Sequence, residues 1–339
     1  MRLYVRNWRC VEEACLDLAR VNILAGKNSS GKSSLAYAAY FLSKLAEWGD
    51  PDALARQLFA SGLEGVVRRS DSAPHYPLVL EAGEARFEAR SAKEFTVSGP
   101  SPWGESFLLP SGRVAALKYS QLLSDFLSRS LEAKPGAQLL LALAGALGEL
   151  AKSLTAPPLL LFLNDWVRLH VGKSLVERRE VGDTGIALLR ASTLLSLLEF
   201  RYVDPFMHLE LPLHEAPDGF VDSLILMQVI DKAPRGSLIV IEEPESFKNA
   251  LLLIKLIKDI LLRAVKRGLT VVMTTHSDLV IRAVAKAVEE EMARPDNVAI
   301  YYLERSEERP WTAVKRIAVY EDGTLEEYPH ADEVIVALF

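Results

Sequence analysis

The sequence has few of the residues that build disulfide-stabilised or zinc-binding proteins. It contains only two cysteines among 339 residues, Cys10 and Cys15, and both lie in the N-terminal segment. No further cysteine or histidine stands at ligand spacing from them, which argues against a zinc site and against a disulfide framework. We expect two small side chains that are buried or half-buried.

Long hydrophobic runs are also absent. The chain opens with Met1-Arg2-Leu3-Tyr4 and reaches charged residues quickly, unlike a signal peptide. The longest uncharged stretch, Pro135 to Gly148, is shorter than the ~20 apolar residues that a membrane helix needs. We therefore expect a cytoplasmic protein without a membrane span, and a buried helix in this stretch.

Positive charge is not in excess. The sequence has 39 Lys and Arg against 45 Asp and Glu, a formal net charge of −6. Binding to DNA would therefore need a local basic patch. One predicted helix in the last third of the chain carries Lys255, Lys258, Arg263, Lys266 and Arg267. A solvated helix face is the favoured interpretation of these residues.

The sequence does have the composition and the patterning of a folded α/β protein. Hydrophobic residues make up 50% of the chain and charged residues 25%, which is typical of a globular protein. Three parts are predicted: an N-terminal lobe with antiparallel strands at 1–112, a helical insertion at 113–203, and a C-terminal lobe at 204–339. Within the insertion, Ala137 to Leu154 and Ile186 to Phe200 have the wide apolar faces of helices.

The last third alternates strands with helices. The patterns predict strands at Ser237 to Ile241 and Thr270 to Thr274, each followed by a helix, at Ala250 to Lys266 and at Asp278 to Glu291. This alternation is typical of a parallel sheet covered by helices.

A glycine-rich motif follows the first strongly apolar strand. It matches G-x-x-x-x-G-K-[ST] in full and stands between a predicted strand and a predicted helix, the context that a phosphate-binding loop needs. Gly26 and Gly31 let backbone N–H groups converge on phosphates, and the helix adds its positive end. Lys32 should reach the β- and γ-phosphates, and Ser33 offers a hard oxygen to Mg²⁺. The predicted phosphate site comprises Gly26, Asn28, Ser29, Ser30, Gly31, Lys32, Ser33 and Ser34.

Two adjacent carboxylates end a later apolar strand, where α/β sheets bind ligands. The first, Glu242, can hold Mg²⁺ through water. Because side chains alternate along a strand, Glu243 points differently and can orient and deprotonate the water that attacks the γ-phosphate. A solvated acidic turn is the alternative interpretation.

A histidine ends the next apolar strand, 33 residues after Glu243. Nε2 of His276 can contact the γ-phosphate or the attacking water. A lone histidine at a strand end is more often structural. The combination with the phosphate loop and the paired carboxylates favours a catalytic role.

These three motifs, in this order and with a long insertion between the first two, resemble the ABC-type ATPase heads of the RecF, Rad50 and SMC group. The closest likeness is to the AAA-domain proteins of the OLD family. The opening Val5-Arg6-Asn7-Trp8-Arg9 is similar to the first strand of that group, whose Asn-Phe-Arg element lies near the nucleotide. This similarity makes Arg9 a candidate nucleotide-site residue. The likeness covers roughly the first 45 and the last 140 residues.

The resemblance implies a P-loop NTPase fold with an ABC-type mixed sheet, an N-terminal antiparallel part, a parallel core and a helical insertion. It implies that Lys32 and Ser33 bind the phosphates of ATP and Mg²⁺. Glu242 stands where most ABC proteins have Asp. Glu243 is the catalytic carboxylate by this comparison, and His276 is the switch histidine. Such heads work as homodimers that enclose two ATP molecules, each covered by a signature loop of the other subunit.

The signature loop departs from the pattern of the group. Its expected place holds Glu215-Ala216-Pro217-Asp218-Gly219-Phe220, in which only Gly219 fits well. Pro217 replaces a serine donor, and Asp218 puts a negative charge near phosphate. ATP-driven dimerisation therefore depends on an altered loop. The Leu-His-Pro of the family is also changed, to Ser246-Phe247-Lys248.

Two functions stay open. The first is an ATPase that couples nucleotide turnover to head association or to a partner in DNA repair or defence. The second is a nucleotide-dependent scaffold or regulatory module with little hydrolysis. There is no long heptad region for a coiled-coil arm and no room for a nuclease domain after the ATPase motifs, so we expect any nuclease or effector to be a separate chain. A phosphotransferase would need an acceptor site that the sequence does not show.

Overall fold

The computed structural model of the protein describes residues 1–70, 73–120, 157–170, 176–180, 185–191 and 198–328. The chain groups into two compact units, one of Met1–Pro110 with Ile230–Phe339 and one of Ser111–Val229. The helices predicted within Pro135 to Gly148 and Ala137 to Leu154 lie outside the described residues. The three-part division of the chain stays a prediction.

The described residues form strands and helices with the following bounds. The strands are β1 (Arg2–Trp8), β2 (Val11–Asp17), β3 (Val21–Ala25), β4 (Arg69–Ser70), β5 (Ala73–Pro74), β6 (Leu78–Ala82), β7 (Ala85–Ala89), β8 (Phe95–Ser98), β9 (Ser106–Leu109), β10 (Val176–Glu180), β11 (Ile186–Ala191), β12 (Leu198–Val203), β13 (Glu210–Pro212), β14 (Leu238–Glu242), β15 (Thr270–Thr275), β16 (Val298–Glu304) and β17 (Ala313–Ile317). The helices are α1 (Lys32–Trp48), α2 (Pro51–Phe59), α3 (Gly62–Val66), α4 (Pro157–His170), α5 (Asp218–Lys232), α6 (Ala250–Arg267) and α7 (Asp278–Glu289), and residues 113–120 are also helical.

The core of the first unit is a six-stranded sheet in the order β17-β16-β3-β15-β14-β9. Neighbouring strands from β16 to β9 run parallel, and β17 is antiparallel at one edge. Every residue of β3, β14 and β15 is buried, as the continuous apolar runs of parallel strands require. The predicted parallel core is confirmed. Its topology brings the carboxyl ends of β3, β14 and β15 to the same edge.

A second sheet, in the order β2-β1-β6-β7-β8, is antiparallel throughout. Helix α1 contacts strands of both sheets, and each of its residues from Ser34 to Leu45 is buried. The ring of Phe41 lies 5.1 Å from that of Trp8 and 5.5 Å from that of Phe87, centroid to centroid. Packing on two sides explains why the helix has no polar face. The predicted antiparallel part is confirmed.

The insertion is not purely helical, and the helix predicted over Ile186 to Phe200 is wrong. Strands β10, β11 and β12 of the insertion form a four-stranded antiparallel sheet with β13, which follows the predicted insertion. Phe200 and Tyr202 of β12 are both buried and pack on the rings of Trp166 and Phe220. This period-two burial outweighs the helix propensity of the Leu- and Ala-rich segment, which is a weak effect.

No helix in the described parts of the chain is long and apolar enough to cross a lipid bilayer.

Candidate functional site

The phosphate-binding loop joins the carboxyl end of β3 to the start of α1. Gly26 has a φ of +142° and Gly31 a φ of +103°, values that residues with a side chain rarely adopt. A Cβ on Gly26 would lie 2.2 Å from the carbonyl oxygen of Leu303, and one on Gly31 would lie 2.2 Å from Oγ1 of Thr312. Both glycines are therefore required by conformation and by space. The loop packs directly on β16 and on the residue that precedes β17.

Lys32 is the first residue of α1, and its side chain returns to the loop. Its Nζ donates hydrogen bonds to the carbonyl oxygens of Gly26 (2.8 Å) and Lys27 (2.7 Å). Burial lowers the pKa of Lys32, and the carboxylates of Glu243 and Glu245 oppose this change. The ammonium group is thus held inside the loop, near two carboxylates.

One cleft of about 710 Å³ collects most of the predicted site residues. Ser33 is exposed to this cleft, whereas Ser30 is buried and borders a neighbouring hollow. A cavity of this size suits a ligand such as a nucleotide. The predicted residues that line it are Arg9, Asn28, Ser29, Gly31, Lys32, Ser33, Ser34 and Glu243.

Glu242 is the last residue of β14, and only 9% of its surface is exposed. The hydroxyl of Tyr37 in α1 donates a hydrogen bond to Oε2 of Glu242 (3.0 Å). Burial and the carboxylate raise the pKa of Tyr37 well above its ordinary value, so the tyrosine remains a donor. No motif indicated this contact, because 205 residues separate its partners.

Glu243 occupies the left-handed region of backbone conformation, with a φ of +45°. Its N–H donates to the carbonyl oxygen of Thr274 in β15 (2.9 Å) while the chain turns out of the strand. The side chain lines the cleft beside Thr274 and Ser33. The two adjacent carboxylates therefore have different surroundings, since Glu243 borders the cleft and Glu242 contacts α1.

Glu245 connects the carboxylate turn to the predicted switch histidine. Its Oε1 accepts hydrogen bonds from Oγ1 of Thr275 (2.7 Å) and from the N–H of His276 (3.1 Å), and it lies 3.3 Å from Nδ1 of His276. The His276 side chain is exposed, at 52%. Sequence reasoning missed Glu245, although the third acidic residue of Glu-Glu-Pro-Glu could have identified it.

Basic and aromatic side chains complete the lining of the cleft. Arg9 has a φ of +51°, and its guanidinium carbon lies 4.4 Å from the centre of the Phe59 ring. Arg305 and Trp311, between β16 and β17, line the same cleft. Arg9 was predicted from the sequence, but Arg305 and Trp311 were not, because the β16–β17 connection carries no motif.

The predicted signature loop, Glu215 to Phe220, lies in the second unit, where Lys118 binds it. Nζ of Lys118 donates to the carbonyl oxygen of Ala216 (2.6 Å) and to Oδ1 of Asp218 (2.5 Å). Asp218 begins α5, and the helix dipole favours a carboxylate in that first turn. The acidic charge of the loop is therefore paired with a lysine.

A known protein family matches a range of this sequence that includes the phosphate loop. A family profile described as "AAA domain, putative AbiEii toxin, Type IV TA system" matches residues 21–282, more than half of the chain. The protein belongs to this AAA family. A comparison of the AAA protein with curated protein sequences gives no match.

Two solved structures of SMC heads are similar to the AAA protein, and the first of them shares its fold. One is the Smc head domain with an extended coiled coil bound to the C-terminal domain of ScpA, from Pyrococcus furiosus, with a TM-score of 0.51 and 13% identity, covering 99% of this chain and 98% of that chain. The SMC head domain from Thermotoga maritima has a TM-score of 0.48 and 12% identity, covering 94% of this chain and 98% of that chain. The predicted resemblance to ABC-type ATPase heads is confirmed, and the AAA protein has the fold of a nucleotide-binding ATPase.

Proposed function

We propose that this AAA protein binds ATP with Mg²⁺ at the phosphate-binding loop and hydrolyses it. One observation carries the proposal: the loop, Lys32 and Glu243 line a single cleft. Backbone N–H groups of the loop and the start of α1 would bind the phosphates. Lys32 would exchange the carbonyl oxygens of Gly26 and Lys27 for the β- and γ-phosphate oxygens.

The oxygen donors at this site fit Mg²⁺. The Ser33 hydroxyl is exposed to the cleft, Glu242 is a buried carboxylate, and Oε2 of Glu245 is buried without a hydrogen-bond partner among the described residues. No group of three or more His, Cys, Asp or Glu side chains in the described parts of the chain could form a metal site alone. Mg²⁺ suits such a site, because it takes one or two protein ligands and completes its shell with water and phosphate oxygens. Ser33 would bind the ion directly and Glu242 through water, and the ion would neutralise charge on the phosphates.

Glu243 and His276 would act on the attacking water and on the γ-phosphate. Glu243 borders the cleft, and its carboxylate would accept the proton of the attacking water. His276 would contact the γ-phosphate or the water, and Glu245 would position it through the contacts described above. Arg9 would contact the nucleotide from the same cleft.

The proposed use of the nucleotide cycle is to control association of the ATPase head. The head would form a homodimer, or it would bind a separate partner in repair or defence, such as DNA or a nuclease or effector chain. Phe247 and Leu251 follow the carboxylate turn, and their exposed fractions are 56% and 81%. Apolar surface of this kind is suited to being covered by another chain.

A nucleotide-dependent scaffold with little hydrolysis is the second candidate, because Pro217 has no N–H to donate to an opposing phosphate.

The ATP site is tested first with Lys32→Ala. We expect ATP binding, measured by calorimetry in Mg²⁺, to weaken by about 10- to 150-fold, because a hydrogen bond to a charged group contributes ~1.5–3 kcal/mol. Lys315→Ala, which removes an exposed lysine paired with Glu326, is the control and should bind ATP like the wild type. Equal ATP affinity of wild type and Lys32→Ala would contradict the proposed site.

The role of Glu242 is tested with Tyr37→Phe, which removes only the hydroxyl donor. Loss of a group that orients a metal-binding carboxylate weakens metal affinity by about 10- to 100-fold. We therefore expect the Mg²⁺ concentration that gives the half-maximal rate of ATP turnover to rise by about tenfold or more. Tyr4→Phe is the matched control, because it removes an exposed tyrosine–glutamate hydrogen bond of 3.0 Å. An unchanged Mg²⁺ dependence in Tyr37→Phe would show that Tyr37 does not position a metal-binding carboxylate.

A further inference from the structure

Residues 305–312, the β16–β17 connection, are held on the phosphate loop at both ends. Nη1 of Arg305 donates to the carbonyl oxygen of Ser29 (3.0 Å), and Oγ1 of Thr312 donates to that of Ser30 (3.0 Å). The N–H of Thr312 also donates to the carbonyl oxygen of Cys10 (2.9 Å). These hydrogen bonds fix the connection relative to the loop that would bind phosphate.

Trp311 lies between these anchors and lines the cleft. The guanidinium carbon of Arg68 is 4.5 Å from its ring centre. Arg68 is buried, with hydrogen bonds or ion pairs to Oδ1 of Asn7 (2.9 Å) and Oε1 of Glu12 (3.3 Å). Because a buried cation covers one face of the indole, the opposite face is the one that a ligand in the cleft can reach.

The burial of Trp311 differs from that of the tryptophans that serve the core. Trp8, Trp103 and Trp166 have at most 3% of their surface exposed. Trp311 is half-buried, at the edge of a cleft. A side chain used only for packing would gain by complete burial, because each Å² of apolar surface removed from water contributes to stability. The partly exposed ring is therefore positioned to contact a ligand.

We propose that Trp311 is the stacking surface for the base of the bound nucleoside triphosphate, an inference that rests on the proposed function. With the phosphates at the loop, the base must lie elsewhere in the same cleft, and Trp311 is the aromatic side chain among its described lining residues. The face of every base is a π-system, so stacking supplies affinity for ATP and for GTP alike. Arg305 acts as a positioning residue, since its Nε also donates to the carbonyl oxygen of Pro310 (2.6 Å) and so holds the connection in place.

The test compares ATP, GTP and inorganic tripolyphosphate by calorimetry in Mg²⁺. In Trp311→Ala we expect binding of ATP and GTP to weaken by about 5- to 150-fold, the effect of losing one base–aromatic stack. Tripolyphosphate has no base, so its affinity should not change. Trp311→Phe keeps a smaller ring and should bind ATP with intermediate affinity. Trp48→Ala, which removes an exposed tryptophan at the end of α1, should match the wild type with every ligand.

Each remaining outcome overturns the inference in a distinguishable way. If ATP and tripolyphosphate lose affinity equally in Trp311→Ala, the side chain only supports the phosphate loop. If Trp311→Ala binds ATP as the wild type does, or if the wild type binds tripolyphosphate as tightly as ATP, no stacked base contributes and the phosphate site still stands. If the wild type binds none of the three ligands, the proposed function fails together with the inference.

Discussion

We expect Glu243→Gln to lower the proposed rate of ATP hydrolysis by about 10²- to 10⁴-fold and to leave ATP bound, because this range is what a general base contributes. Glutamine keeps the size and the polarity of the side chain but cannot accept the proton of the attacking water. The measurements are steady-state phosphate release and ATP affinity. The sedimentation mass of both proteins in ATP and Mg²⁺ would reveal a nucleotide-bound dimer that persists when turnover stops.

Glu13→Gln is the control for this change, since Glu13 is an exposed glutamate of β2 that hydrogen-bonds to Tyr4. It should hydrolyse ATP at the wild-type rate. Turnover in Glu243→Gln that equals the wild-type rate would remove Glu243 from the catalytic role. If the wild type binds ATP without turnover and stays monomeric, the scaffold function becomes the better account.

The second large effect concerns the stability of the second unit. Arg113 and Asp222 form a two-point ion pair, with Nε 2.6 Å from Oδ1 and Nη2 3.0 Å from Oδ2, and both side chains are completely buried. Removing one partner of a buried ion pair takes the opposite charge away from the other, which costs ~3–5 kcal/mol. We expect Arg113→Ala to lower the free energy of unfolding by about this amount in equilibrium urea titrations.

Two comparisons separate this burial effect from charge removal alone. Arg2→Ala breaks an exposed ion pair with Asp17, and it should leave the free energy of unfolding nearly unchanged. The double variant Arg113→Met with Asp222→Leu replaces the pair by apolar side chains and should recover much of the lost stability. A loss below ~1 kcal/mol in Arg113→Ala would mean that water or another group compensates the remaining carboxylate.

The sequence predicts the central part of this fold because the decisive signals there are local. The conformations of Gly26 and Gly31 and the position of Lys32 follow from one eight-residue motif with a strand before it and a helix after it. The apolar runs of β14 and β15 likewise indicate buried parallel strands without knowledge of their neighbours.

The contacts that surround the motif could not be predicted, because their partners are distant in sequence. Tyr37 contacts Glu242 across 205 residues, and Thr312 contacts Ser30 across 282. No periodicity encodes such pairs, which depend on the completed packing. The β-strands of the insertion were missed for a related reason, because the helix propensity of leucine and alanine is a small effect that sheet pairing overrides.

The position of β3 within its sheet has a consequence for how the protein is made. The phosphate loop follows this strand near the N-terminus, but the two neighbours of the strand in the sheet, β15 and β16, are made much later. In their registers, Val21 is paired with Val271 and with Val298. At ~5–20 residues per second, a ribosome takes roughly 12 to 50 s to synthesise the chain from the end of β3 to the start of β15. During this interval β3 has neither of its neighbours in the sheet, and α1 can pack only on the antiparallel sheet. We therefore expect a nascent chain to depend on chaperones. A translation product interrupted before β16 would lack a strand that pairs with β3, and on the proposed function we expect it not to bind ATP.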